Sequence, residues 1–138
     1  MRHAKRTLAA LGLAFLLAGS ALAATVVKAK SYPTGSFVVA GHVVAAKDVL
    51  DARAIPDMSG KPSLMVTLAP AAAAAIKAQA GARLPCTLDG KALGSSPADA
   101  LTSDHVLQLS GDFGDYDATA ALARRISGHD PVPDSLSE

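Results

Sequence analysis

Tryptophan is absent from the 138-residue chain and aromatic residues make up only 4% of it, so the core must be assembled from small aliphatic side chains. A single cysteine, Cys86, excludes an internal disulfide even in a compartment that would permit one. Neither charge sign dominates, with 13 Lys and Arg against 12 Asp and Glu and a formal net charge of +1. Without a basic field the chain offers nothing to the phosphate backbone of a nucleic acid. The apolar stretch at 8–18 is too short to cross a bilayer, which takes roughly 20 residues, and Gly19 and Ser20 interrupt its continuation.

That stretch fits an export signal instead. Arg2, Lys5 and Arg6 precede it and Ala21-Leu22-Ala23 comes after it, the small-residue pattern at which signal peptidase cuts, so cleavage is expected after Ala23. No cysteine stands near that point to carry a lipid anchor. Residues 1–23 are therefore assigned to a signal peptide, and the mature chain to the periplasm or the secreted fraction, with no membrane span after cleavage. About 115 residues remain, the size of one ordinary domain. Three of the basic side chains lie in the signal, so the mature part is slightly acidic.

Along the mature chain, residues 24–36 carry Pro33 and Gly35 and are expected to form a loose lead-in. Residues 37–44, rich in β-branched side chains and interrupted by Gly41, predict one strand, 47–50 a single helical turn, and 52–55 the start of a second strand. Pro56, Gly60 and Pro62 mark a hairpin connection. Leu64, Val66 and Leu68 then alternate with Met65 and Thr67, the pattern of a strand with one buried face. Pro70 suits the first turn of an alanine-rich helix over 71–80, ended by Gly81. Leu84, Cys86 and Leu88 alternate before Asp89-Gly90, a favoured two-residue turn leading back through 91–94.

Residues 95–104 read as a loop or a short helical turn, and 105–110 as a last strand ended by Gly111. Asp115 stands before an amphipathic helix with Ala118, Ala121, Leu122 and Ile126 on one face, Arg124 and Arg125 in its last turn, and Gly128 as its cap. Pro131 and Pro133 begin a flexible tail, 131–138, which leaves 37–130 as the folded domain. The predicted architecture is α+β: an antiparallel or mixed sheet of about five or six strands with two helices packed on one face.

The order and spacing of these features resemble the periplasmic head of SecD, an accessory subunit of the bacterial protein-export machinery. The resemblance is carried by the approach Lys47-Asp48-Val49-Leu50-Asp51-Ala52, the strand at 62–68 entering a small-residue helix, the turn Asp89-Gly90-Lys91, the segment Ser110-Gly111-Asp112-Phe113, the helix at 118–126 and the exit at 128–133. It covers about 43–133 and departs where the family has a glycine-rich link before the last strand, since Leu101-Thr102-Ser103-Asp104 stands there. In SecD the head sits above transmembrane helices that, with SecF, use the proton gradient to help move exported chains. This sequence shows no span beyond its signal and no intramembrane ionisable residue to carry protons. The resemblance thus implies only the passive part, weak binding of an exported or unfolded polypeptide or of a Sec translocase component. The alternative is an envelope accessory protein that reuses the fold for an unrelated protein or small-molecule partner.

If the helices cover the face bearing Leu64, Val66, Leu68, Leu84, Cys86, Leu88, Leu107 and Leu109, the opposite face presents Met65, Thr67, Thr87, Val106 and Gln108. Met65 and Val106 are the candidate polypeptide contacts, because methionine adapts to varied partners. The competing expectation is that both pack under the N-terminal segment. Asp89, Gly90, Gly111, Asp115 and Gly128 are assigned structural roles in turns and caps. No catalytic, cofactor or metal residue is assigned, and no enzyme activity is expected. His42, His105 and His129 lack metal-ligand spacing. Asp112, Asp115 and Asp117 begin like a calcium loop without its later glycine and glutamate. Cys86, between leucines, reads as a small core residue.

Overall fold

The computed structural model describes residues 30–133. The expected signal peptide at 1–23, the first part of the lead-in and residues 134–138 lie outside the described residues. In chain order the elements are β1 (Phe37–Val39), β2 (His42–Val44), a 3-10 turn (Ala46–Asp48), β3 (Val49–Pro56), β4 (Pro62–Leu68), α1 (Pro70–Ile76), β5 (Arg83–Leu88), β6 (Lys91–Pro97), α2 (Ala98–Asp104), β7 (Val106–Leu109) and α3 (Tyr116–Ser127).

Local chemistry accounts for most boundaries. Ala40 and Gly41 both have positive φ, 50° and 82°, so the stretch expected as one interrupted strand folds back on itself as the β1–β2 hairpin. Asp89 and Gly90, at 51° and 83°, make the same kind of turn between β5 and β6. Between β3 and β4 the Asp57 carboxylate accepts hydrogen bonds from the Ser59 hydroxyl and from the N–H groups of Ser59 and Lys61, at 2.8–2.9 Å. The Ser59 hydroxyl, then the Lys61 N–H, hold that carboxyl below its ordinary pKa.

The class is α+β, but in place of the single sheet with two helices expected from the pattern the described residues form two antiparallel sheets and three α-helices. One sheet runs β2-β1-β5-β6 and the other β3-β4-β7. They meet where β6 passes β7. There the buried Ser96 hydroxyl accepts the Gln108 N–H at 2.9 Å in place of a backbone ladder bond. Gly94, at φ +97°, lies so close to β7 that an added Cβ would sit 2.8 Å from the Ser110 carbonyl oxygen. The register between β5 and β6 slips beside this glycine, between Cys86 and Thr87, the irregularity of a β-bulge. The third helix, α2, forms in the segment expected as a loop or a short helical turn, and anchors through the buried Ala98 and Leu101.

One apolar core serves both sheets. Phe37, Val39, Cys86 and Leu88 from the first meet Leu64, Val66, Leu68, Leu107 and Leu109 from the second, with Ala123 and Ile126 of α3 and Ala73 of α1 closing it. α1 is shorter than its composition implies: it stops at Ile76, and Lys77, not Gly81, takes the left-handed cap at φ 55°. A seven-residue helix depends on packing more than propensity. Ala78 and Ala82 beyond it also pack on the core, and the Ala82 carbonyl accepts the Ala98 N–H. Among the described residues no helix is long and apolar enough to cross a membrane.

Candidate functional site

The second sheet places the candidate contacts. Strand alternation sends Leu64, Val66 and Leu68 inward, each fully buried, and turns Met65 and Thr67 outward, each half-buried. Antiparallel pairing sets Met65 opposite Arg53 and Gln108, and Thr67 opposite Asp51 and Val106. Met65 and Val106 are therefore diagonal neighbours on one face, near enough for a single extended side chain to touch both. Ile55 shares this face. At its hairpin end Met58 is fully exposed beside a depression of about 440 Å³ lined in part by Ile55, Leu64 and Gln108. Asp51 and Arg53 form an ion pair at 2.7 Å along the β3 margin. The face is thus mixed: Met65, Val106 and Ile55 are its apolar members, Thr67 and Gln108 its neutral polar ones, and the paired charges of Asp51 and Arg53 flank it along β3.

Residues 32–36 lie against α3: the Tyr32 N–H donates to the Gly128 carbonyl and the Gly35 N–H to the Arg125 carbonyl, at 2.9 and 3.0 Å. This part of the lead-in is tied, not loose. The first part of the N-terminal segment expected to cover Met65 and Val106 lies outside the described residues. The start of the tail is tied as well, since the Val132 N–H donates to Asp51 and its carbonyl accepts from Arg53.

The turn and cap residues stand where the pattern put them, and one does more. Asp115 caps α3 by accepting the Ala118 N–H at 2.8 Å, and Gly128, at φ 84°, closes it. Gly111 comes after β7, where an added Cβ would sit 3.2 Å from the Phe113 ring. Asp89 not only turns the β5–β6 hairpin; its carboxylate also accepts the Ser36 N–H at 2.8 Å and pairs with Arg125. Gly35 is needed beside it, because an added Cβ would lie 2.5 Å from the Asp89 carboxylate. No local pattern announces a link between residues 36, 89 and 125. The same holds for Asp130, which accepts from the Tyr32 hydroxyl and from Arg124, both at 2.9 Å, while the Arg124 guanidinium lies 5.2 Å above the Tyr32 ring.

The remaining polar residues are scattered. His42 is exposed on β2, His105 caps α2 at φ 60°, and His129 bonds to the Asp130 carbonyl. Among the described residues no three His, Cys, Asp or Glu side chains gather as a metal site. Cys86 is buried, and burial pushes its thiol up to about 12. In the unfolded chain the thiol ionises near its ordinary 9.0, so between these values the unfolded state holds fewer protons. Stability should accordingly fall by up to about 1.4 kcal/mol per pH unit as pH rises through that window. Denaturant melts at pH 8 to 11 test this, and Cys86→Ala should remove the corresponding part of the slope.

Compared with models of known protein families, with curated proteins and with solved structures, the chain matches none.

Proposed function

We propose that this chain is a non-catalytic module of the cell envelope, resembling the SecD head, that weakly holds extended or unfolded exported polypeptide. The observation that supports this most directly is the partly buried apolar pair on the outward β3-β4-β7 face, Met65 diagonal to Val106. Polypeptide in transit has no fixed sequence, so a useful surface must be tolerant, and methionine beside a β-branched residue and neutral polar groups provides that. The charges on the same surface, Asp51 and Arg53, are paired with each other, which leaves little net charge with which to select one partner tightly.

The test is fluorescence anisotropy of a carboxymethylated, permanently unfolded polypeptide titrated with the purified protein. Binding should be weak and salt-tolerant, and Met65→Asp combined with Val106→Asp should weaken it by about tenfold or more while leaving the circular dichroism spectrum unchanged. Absence of binding by the unaltered protein would overturn the proposal. A second reading, an accessory protein with a small-molecule partner, draws on a cavity of about 500 Å³ beside α3 lined by Tyr32, Pro33, Thr34, Ala121, Arg124 and Arg125. Its arginines are already engaged by Asp130 and Asp89, so it favours a neutral, apolar ligand.

A further inference from the structure

We infer that the free edge of β2, together with the groove between it and α1, is a second docking site at which an extended polypeptide segment carrying a basic side chain adds a strand to the four-stranded sheet. This rests on the polypeptide-holding function proposed above and concerns a different surface. Among the described residues β2 is the outermost strand of its sheet and pairs only with β1. Val39 and His42 flank the two-residue turn at Ala40-Gly41 and form its hydrogen-bonded pair, so the next pair, Val38 and Val43, is non-bonded. The Val43 N–H and carbonyl therefore point away from β1, and no turn, loop or cap takes them up among the described residues. Val43 itself is 68% exposed.

The two outer edges of the sheets are treated differently. The β3 margin is occupied by the chain's own exit, with Val132 held by Asp51 and Arg53. Among the described residues β2 has no such cover, and its His-Val-Val sequence carries none of the lysine, proline or bulge devices that usually blunt an exposed edge. Alongside it runs a groove of about 220 Å³, lined on the far side by Ala71, Ala72 and Ala75 of α1 and at one end by Asp48. A strand edge facing a helix across a narrow groove is the geometry in which an added strand can be seated. The alanine wall lets a backbone approach closely. Asp48 has no side-chain hydrogen bond or ion pair among the described residues, so its carboxylate is available to a lysine or arginine of the incoming segment. The α1 wall leaves room for a lone strand more readily than for one backed by its own sheet, which favours an unfolded segment over a second copy.

The experiment uses the same anisotropy titration with an unfolded polypeptide and with a short lysine-containing peptide of β-branched residues. Val43→Pro removes the free donor at an edge position that tolerates proline, and should weaken binding about fivefold or more. Ala75→Leu, an exposed change that fills the groove without touching the core, should do the same and keeps the test open should Val43→Pro fold poorly. Asp48→Asn should reduce binding of the lysine peptide more than that of an otherwise identical glutamine peptide. If Met65→Asp with Val106→Asp abolishes binding while Val43→Pro and Ala75→Leu leave it unchanged, the edge site is overturned and the proposed function stands. If the unaltered protein binds neither probe, the proposed function itself fails. Concentration-dependent dimerisation that Val43→Pro removes would overturn the polypeptide occupant in favour of a second copy.

Discussion

Phe37→Ala should cost about 3–5 kcal/mol of folding stability, the range for deleting a buried ring from a packed core. Phe37 is 1% exposed and is the one fully buried aromatic residue among those described. Its register neighbours are Leu88 on β5 and Val44 on β2, so it bridges the centre of the first sheet beneath the shared core. The shortage of aromatics in the sequence makes this position dominant, since the rest of the buried core is aliphatic side chains and Cys86, each smaller than the ring. Ordinary domains are stable by only about 5–15 kcal/mol, so the variant should be close to unfolding at physiological temperature. In thermal melts the midpoint should drop by at least about 12 °C, whereas Phe37→Leu should cost less than about 1.5 kcal/mol. A loss below about 1 kcal/mol for Phe37→Ala would mean that the core is not centred there.

Gly94→Ala should be nearly as damaging although it removes nothing. The residue sits at φ +97°, where any side chain is strained, and its Cβ would meet the Ser110 carbonyl oxygen at 2.8 Å. That oxygen cannot withdraw cheaply, because Leu109 before it is registered against Leu64 and the neighbouring Gln108 N–H is held by Ser96. Strain and contact together should cost about 2–4 kcal/mol. Gly41→Ala is the matched control: φ is +82°, but nothing lies within 4 Å of the added carbon, so only the strain of about 1–2 kcal/mol remains. Denaturant titration of the two variants separates the two contributions. Equal losses would show that the sheets do not approach closely at β6 and β7.

The legibility of the chain tracks the range of the interactions involved. Asp89-Gly90 predicts its hairpin, Asp115 and Gly128 bound α3, and the alternation around Val66, Cys86 and Leu107 marks the inward faces, because turn dihedrals, caps and strand periodicity are set within a few residues. Gly41 is visible as an interruption, yet the hairpin it makes with Ala40 is not, since alanine at positive φ is no turn signature. The end of α1 is equally hidden, because alanine propensity says nothing of where the chain must leave to begin β5. Of the candidate contacts, Met65 and Val106 share an outward face as strand alternation implies, but the clasp joining Ser36, Asp89 and Arg125 spans most of the domain and leaves no periodic trace.

Composition and local pattern by themselves determined that this is a small-residue α+β domain with these turns, these inward leucines and valines and this capped final helix. Only the tertiary structure decided that the strands part into two sheets joined at Gly94 and Ser96, that the exit of the chain lies along the β3 margin, and that β2 is the outermost strand of its sheet among the described residues, beside α1. The physical reason is that alternation specifies which side of a strand is buried without specifying against what. Partner, edge and cover are settled by contacts between residues far apart in the chain, where close approach and backbone hydrogen bonding, not propensity, select the arrangement.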